Sequence, residues 1–383
     1  MTHEMRDQRS GIFDALGIIS LLALLGTSVA WAENWTIGRV DGSVGGSFSS
    51  LQIDKFGNAH VGYVDEASGF LQYSFWDHNL KKWFTTTLDR SGGFCSLALD
   101  SKQRPHISYV RWDHLIYAHW DGSAWQIQTV ELPSKAVRFY TSIALDSKDN
   151  PSISYYEALD SIGDREICHM RVITWMGSFW ELTTADSDFA TGKFNSIAVD
   201  SAGRPHVVYA NIWYEASSLR FADWDGSRWH KEILEGVDGK TYRQAVILTL
   251  DKHDNPHIAY LDLNNMLVKY GTRVTGRWQM EAVASISRGA YPDRNGITLD
   301  ENGSPYISFF DSGSTVLKVA YRKDQKWRTE TVDTGGFTSS IQIHAGTIWV
   351  TYSAGPGGGL KFARRNLEQP EPESRSQVQP VSK

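Results

Sequence analysis

The sequence predicts an all-β fold: a seven-bladed β-propeller with four antiparallel strands per blade, the last blade closed by the N-terminal strand. Three observations carry the prediction. A unit of about 50 residues recurs along the chain. A tryptophan opens the last segment of each unit. The one unit that lacks this segment lies at the C-terminal end, and a matching segment stands alone near the N-terminus.

The recurring unit is plain in SLALDSKQRPHISYV from Ser96, SIALDSKDNPSISYY from Ser142, SIAVDSAGRPHVVYA from Ser196 and ILTLDKHDNPHIAYL from Ile247. SLQIDKFGNAHVGYV from Ser50 and GITLDENGSPYISFF from Gly296 are two more, and SIQIHAGTIWVTYS from Ser340 is a degenerate seventh. The acids Asp54, Asp100, Asp146, Asp200, Asp251 and Asp300, with His344 in the seventh place, stand 46, 46, 54, 51, 49 and 44 residues apart. That interval suits one propeller blade.

Each unit resolves into four strands. The LALD-type segment is the first, and a short turn of Asp, Gly, Asn, Ser and Lys follows. The PHISY-type segment is the second, its leading proline placed where a strand begins. A variable loop leads to a third strand such as Leu115 to Trp120 or Leu219 to Trp224. A DGS-type turn, a strong hairpin signal, leads to a fourth strand that opens with Trp. These tryptophans are Trp83, Trp125, Trp180, Trp229, Trp278 and Trp327, and the aromatic faces are expected to pack between blades. The seventh unit reaches a third strand, Leu360 to Ala363, and then a polar tail. The segment Asn34 to Asp41, with Trp35, is therefore expected to complete blade seven and leave no open edge.

Composition fits this reading. The 383 residues include 15 Trp, 16 Tyr, 16 Phe and 33 Gly, a mixture suited to many short strands and tight turns. The net charge of −6 lacks the basic footprint of a nucleic-acid partner. Cys95 and Cys168 fall on different strands of neighbouring blades and read as free packing residues. Arg6 and Arg9 precede an apolar stretch from Leu16 to Val29 that ends in Ala30-Trp31-Ala32, the pattern of a cleaved leader over residues 1–32. The propeller is expected over 33–365 and a disordered polar tail over 366–383. Expected partners are an acidic glycan or a protein ligand, with no nucleic acid, no membrane span after cleavage, no cofactor and no metal. The expected location is secreted or periplasmic, and the expected state is a monomer.

The pattern SxALDsxGxPHISYyD followed by LkYAxWDGsxW resembles repeats of secreted bacterial seven-bladed β-propeller proteins. The turns WDGSAW (Trp120 to Trp125) and WDGSRW (Trp224 to Trp229) also resemble the Asp-box turn of sialidase-like propellers, although the leading Ser is absent and the spacing to Trp differs. The resemblance implies the fold over most of the chain and says little about activity.

A residue repeated in every blade serves the blade, and a site is made where repeats differ. His60, His106, His206 and His257 share one place in the second strand and are expected to bond locally, each to the Asp of its own first strand. The singular residues gather where second strands end and blades are linked, around the channel mouth. They are Arg111, His114, Arg138, Tyr140, Glu157, Lys193, Tyr242, Arg243, Asp262, Arg294 and Asp311. One reading makes them a polar mouth that grips a sugar acid, since guanidinium forks hold carboxylates and aromatic faces stack on pyranose rings. The plainer reading makes them solvated loop residues. Three functions remain open: a glycan- or protein-binding module, a carbohydrate-active enzyme using the same face, and an envelope scaffold. A lyase would use His114 with Arg111, or Tyr140 with Arg138.

Overall fold

A computed structural model describes residues 35–40, 45–130, 137–162, 165–212, 217–236, 243–289, 295–355 and 357–367. Seven four-stranded antiparallel sheets appear, and the described residues contain no helix. Blades one to six span 47–89, 93–129, 137–186, 191–235, 243–285 and 296–334. In each, the strands pair in chain order, one to two to three to four. Blade seven takes three strands from 339–366 and its fourth, Thr36–Arg39, from the other end of the chain. That strand pairs antiparallel with Leu360–Asn366, Ile37 opposite Ala363 and Gly38 opposite Phe362. The expected leader lies outside the described residues, as does nearly all of the expected tail.

The turn between strands one and two is built by the aspartate of the repeat. Asp54 Oδ1 accepts the N–H groups of Phe56 and Asn58, and Asp100, Asp146, Asp200, Asp251 and Asp300 repeat the pattern. This is the Asx bonding expected of a carboxylate at a turn. The repeated histidines sit above these turns. The Nε2 atoms of His60, His106, His206 and His257 lie 3.5, 3.6, 3.4 and 3.6 Å from the aspartate of the same blade. The closer partner is one the sequence reading missed, a tyrosine on strand three. His60, His106 and His257 lie 2.6, 2.6 and 2.5 Å through Nδ1 from the hydroxyls of Tyr73, Tyr117 and Tyr270. In blade four Phe221 takes the tyrosine's place and stacks on His206.

The tryptophans pack between blades. Trp125 meets Tyr73 of the preceding blade edge-on at 5.0 Å, and Trp180 meets Tyr117 at 5.4 Å. Trp278 and Trp327 meet Phe221 and Tyr270 at 5.1 and 5.5 Å. Trp229 lies against the Met170–Val172 core, and Trp83 contacts Phe362 across the seam where the ring closes. Trp35 is buried with Val319 and Val332 of blade six. Cys95 and Cys168 are buried in this packing and form no disulfide.

Serine hydroxyls stitch the inner strands together. Ser340, Ser50, Ser96, Ser142 and Ser196 accept the backbone N–H groups of Leu51, Leu97, Ile143, Ile197 and Leu248, each in the next blade, at 3.0–3.3 Å. The stitch stops where Ile247 and Gly296 replace the serine. A Cβ at Gly296 would lie 2.8 Å from the Ile341 backbone nitrogen, so the close approach of blades six and seven requires glycine there. The first strands enclose a polar cavity of about 140 Å³.

Closure by one short strand makes Trp35 decisive. Trp35→Ala should destabilise the propeller by roughly 3–5 kcal/mol in denaturant unfolding. Ile37→Ala, on the same strand but 39% exposed, should change little. Equal effects from the two would show that the strand does not close the ring.

The histidines predict acid sensitivity. Burial pushes the His106 imidazole down to about 4, against the pull of Asp100, and burial also lowers His206 and His257. A group held neutral in the fold but protonated near 6.5 when unfolded contributes stability above that pH and loses it on acidification. The thermal midpoint should fall as pH drops from about 6.5 to 4, with His106 accounting for up to roughly 3 kcal/mol. His106→Gln should flatten this part of the profile, and an unchanged slope would refute the assignment.

Candidate functional site at the channel mouth

Because the strands alternate in direction, the turns between strands two and three and the links between blades lie on one face. The start of each first strand marks the inner rim of that face. Here the ladder between strands one and two is broken by a bulge in blades one to five. The bulged residue sits six positions before the turn aspartate and has left-handed backbone: Phe48, Phe94, Tyr140, Phe194 and Ala245, with φ of 54°, 51°, 62°, 51° and 53°. Glycine is the residue that adopts this conformation without strain. Four aromatic side chains hold it instead.

The reason lies in what the bulge does to those side chains. It brings them into contact from blade to blade, so that they form one continuous arc packed on the cores of the blades, with Phe194 itself buried. Ring centroids are 4.3 Å apart for Phe48–Phe94, 4.9 Å for Phe94–Tyr140 and 4.6 Å for Tyr140–Phe194. Phe139, 45% exposed, meets Phe94 edge-on at 5.2 Å and carries the arc outward. Thr141, Asn195 and Val246 complete a small hollow beneath the rings. Asn195 is fixed by bonds from Nδ2 to the carbonyls of Tyr140 and Gly192, and Thr141 donates to the Phe94 carbonyl. The arc covers blades one to four and ends at Ala245.

The bulges also correct the sequence reading. Arg138, Lys193 and Arg243, expected on links between blades, belong to first strands that begin at Val137, Thr191 and Arg243. Glu157, expected where a second strand ends, lies inside one: Pro151–Ile162 and Arg165–Trp175 form a hairpin in which Glu157 pairs with His169 and Ile162 with Arg165.

The singular residues do not converge on one point. Arg111 Nη1 is bound to Asp89 of the preceding blade at 2.7 Å, and His114 is exposed across the hairpin from it. Glu157 is fully buried, with Arg171 Nε at 2.5 Å and His169 Nδ1 at 3.9 Å. Lys193 lies over the Tyr156 ring at 5.7 Å. Asp262 closes its own turn by accepting from Asn265. Asp311 accepts from the Ser287 N–H, Ser314 and Lys318. Burial opposes its charge, but Lys318 and these donors prevail and hold its carboxyl below the usual range. Tyr140 is the one candidate that the arc incorporates. Arg243 starts a strand opposite Asp262, and Arg138 lies within one. Tyr242 and Arg294 lie outside the described residues.

A second set of polar residues on this face, of which the sequence reading named only Arg111, clasps neighbouring blades. The buried tyrosine of strand two donates to a carboxylate at the end of the previous blade's fourth strand: Tyr109 to Asp89 at 2.7 Å, Tyr209 to Asp186 at 2.9 Å and Tyr352 to Asp333 at 2.6 Å. A cation joins each one: Arg111 at Asp89, Arg220 with Lys231 at Asp186, and Lys361 at Asp333. Lys269 binds Glu235 at the fourth such seam. Burial opposes ionisation of Asp186, and Lys231, the Asp188 N–H and Arg220 overcome it.

No protein-family model matches the chain, and no curated protein matches it in sequence. Its fold is shared with solved structures. The polysaccharide lyase Uly1 is similar with a TM-score of 0.55 at 7% identity, over 83% of this chain and 90% of its own. A lectin of Aleuria aurantia in complex with Fucα1-6GlcNAc gives 0.51 at 15% identity, over 75% of this chain and 96% of its own. A mutant of AofleA from Arthrobotrys oligospora gives 0.52 at 12% identity, over 79% and 90%. The A. aurantia lectin has six blades against the seven here. At these identities the likeness establishes the propeller fold and nothing finer.

The clasps yield a paired prediction. Tyr209→Phe should cost roughly 1–2 kcal/mol, because it leaves buried Asp186 short of a donor. Tyr155 occupies the same place in blade three, equally buried, yet its hydroxyl has no hydrogen-bond partner among the described residues. Tyr155→Phe should be neutral or stabilising in the same unfolding measurement. The opposite ranking would mean that the clasps do not stabilise the seams.

Proposed function

We propose that this chain is a secreted glycan-binding propeller whose ligand lies on the loop-rich face, against the aromatic arc at the channel mouth. One observation carries the reading. Four consecutive blades hold an aromatic residue in strained backbone at the same inner position, and the rings form a continuous arc, tilted by 44°, 60° and 48° from one to the next. Non-glycine residues with this backbone conformation concentrate at ligand-contacting and catalytic positions. An aromatic ring face with polar groups beside it suits the C–H face and hydroxyl edge of a pyranose. The A. aurantia lectin and Uly1, whose names refer to a sugar complex and a polysaccharide, agree in class.

Acidic sugars are the favoured class, because Arg138, Lys193 and Arg243 lie at the start of first strands and Arg294, by sequence, just before one. Binding without turnover is favoured over hydrolysis. A glycosidase sets two carboxyl groups about 5–9 Å apart across a cleft, one of them a proton donor. Glu157, Asp262 and Asp311 are instead buried and bound to separate local partners.

A glycan array probed with the full secreted chain tests the reading. Phe139→Ala should leave the fold intact, since the side chain is half exposed, and Tyr140→Ala should remove a central ring. Each stacking face is worth roughly 1 kcal/mol, so losses of about fivefold to tenfold are expected. Retention of no sugar by the folded protein would point instead to a protein ligand on this face.

A further inference from the structure

On the same face, the turn between strands two and three of blade two is out of keeping with its sequence. Arg111 and His114 face each other across the hairpin, so residues 112 and 113 form a two-residue loop. Both have left-handed backbone, φ 47° at Trp112 and 65° at Asp113. Such a turn favours Asn-Gly, and a tryptophan at its first position is strained. Blades one, five and six use four-residue turns instead, from Asp65 to Phe70, Asp262 to Leu267 and Asp311 to Val316, whose left-handed residues are Gly69, Met266 and Thr315.

The strain is not offset by burial. Trp112 is 77% exposed, the highest value among the exposed large hydrophobic residues. It is nevertheless braced. The Arg111 guanidinium lies 5.6 Å from the indole centroid. That guanidinium is bound to Asp89, which also receives the buried Tyr109 hydroxyl. A chain of contacts from the core thus ends on an indole presented to solvent, with the exposed Asp113 and His114 beside it. The combination offers a stacking face, a hydrogen-bond acceptor and an imidazole at one edge.

We propose that Trp112 is a second stacking position for an extended glycan, so that the ligand is a chain of linked pyranoses rather than a single sugar. The inference rests on the glycan reading above. Phe94 lies at the start of the first strand of blade two and Trp112 just past the end of its second, with neighbouring strands ~5 Å apart. Mouth and turn are therefore separated by about the length of one or two sugar residues, and a chain running outward over blade two would meet the arc first and Trp112 next. An isolated monosaccharide at the mouth would not reach the indole.

The test uses the full secreted chain and two chemically distinct probes, unsulfated chondroitin tetrasaccharide and chitotetraose, each against its constituent monosaccharides, by isothermal titration calorimetry. Wild type should bind one tetrasaccharide at least tenfold more tightly than its monosaccharides. The double variant Trp112→Asn/Asp113→Gly, which gives the turn its preferred sequence, should erase that gain, leave monosaccharide affinity unchanged and raise the thermal midpoint. Trp112→Ala should erase the gain without the rise in midpoint. A double variant that keeps the chain-length gain, or that unfolds at a lower temperature, overturns the role of Trp112 while leaving the mouth site standing. Failure of every probe to bind wild type overturns both readings.

Discussion

A four-stranded blade has two apolar faces and cannot cover either one itself. Every blade here is buried only by its neighbours, and the indole at the start of strand four, laid on strand three of the preceding blade, is the contact that repeats around the ring. A stack built this way stays exposed at its two ends unless the ends meet. Blade seven therefore borrows Thr36–Arg39, and Trp35 buries itself against blade six as every other fourth-strand tryptophan does against its own predecessor. The seam beyond it is reinforced by a cluster of Trp76, Trp83, Trp349 and Phe362, in which Trp349 occupies the place that histidine holds in four other blades.

Around this apolar frame, polar residues serve one of two purposes. Those that recur hold blades to themselves or to each other: the turn aspartates, the histidine–tyrosine pairs, the stitching serines and the tyrosine–carboxylate clasps. The recurrence is not perfect, and its exceptions divide the ring. Blades one to four pair tryptophans across the hairpin of strands three and four, as in Trp76–Trp83 and Trp224–Trp229. Blades five to seven place an arginine over the tryptophan instead and tie it to a glutamate of the preceding blade: Arg273 to Glu232, Arg322 to Glu281 and Arg365 to Glu330. The aromatic arc follows the same division, present in blades one to four and replaced by Ala245 in blade five. One half of the mouth is thus an aromatic wall, and a ligand docking there would meet an asymmetric site on a nearly symmetric scaffold.

Among the described residues, every aromatic side chain held in left-handed backbone lies on that face. The bulges at Phe48, Phe94, Tyr140 and Phe194 and the turn at Trp112 each put an aromatic residue where glycine or asparagine would be easier. The first four are supported by one another's rings, and Trp112 by Arg111 and the clasp behind it. A scaffold closed by its neighbours on every side can hold such conformations, because the strands on either side of each bulge are already fixed by pairing.

Blade number, strand order, closure by the N-terminal strand and the packing role of the tryptophans were legible in the sequence, because each depends on a period or on a local turn preference that repeats seven times. The turn aspartates were legible for the same reason. Partners that come from another blade were not. Nothing in the spacing of Tyr209 and Asp186 links them, and the histidines' closest partner, a strand-three tyrosine, emerges only once strands two and three are in register. The candidate site was legible as a place but not as a geometry. Tyr140 was named, whereas Glu157, Asp262 and Asp311 turned out to be occupied with their own turns and strands. Phe94 and Phe194 are plain aromatic residues in the sequence, but a bulge that brings their rings together with Tyr140 requires an extra residue opposite a pairing partner that the chain alone does not specify. Sequence by itself determined the repeated architecture, since local pattern and burial agree in every blade. Only the tertiary structure decided which side chains meet at the mouth, because that depends on backbone direction at bulges and on neighbours 40 or more residues away.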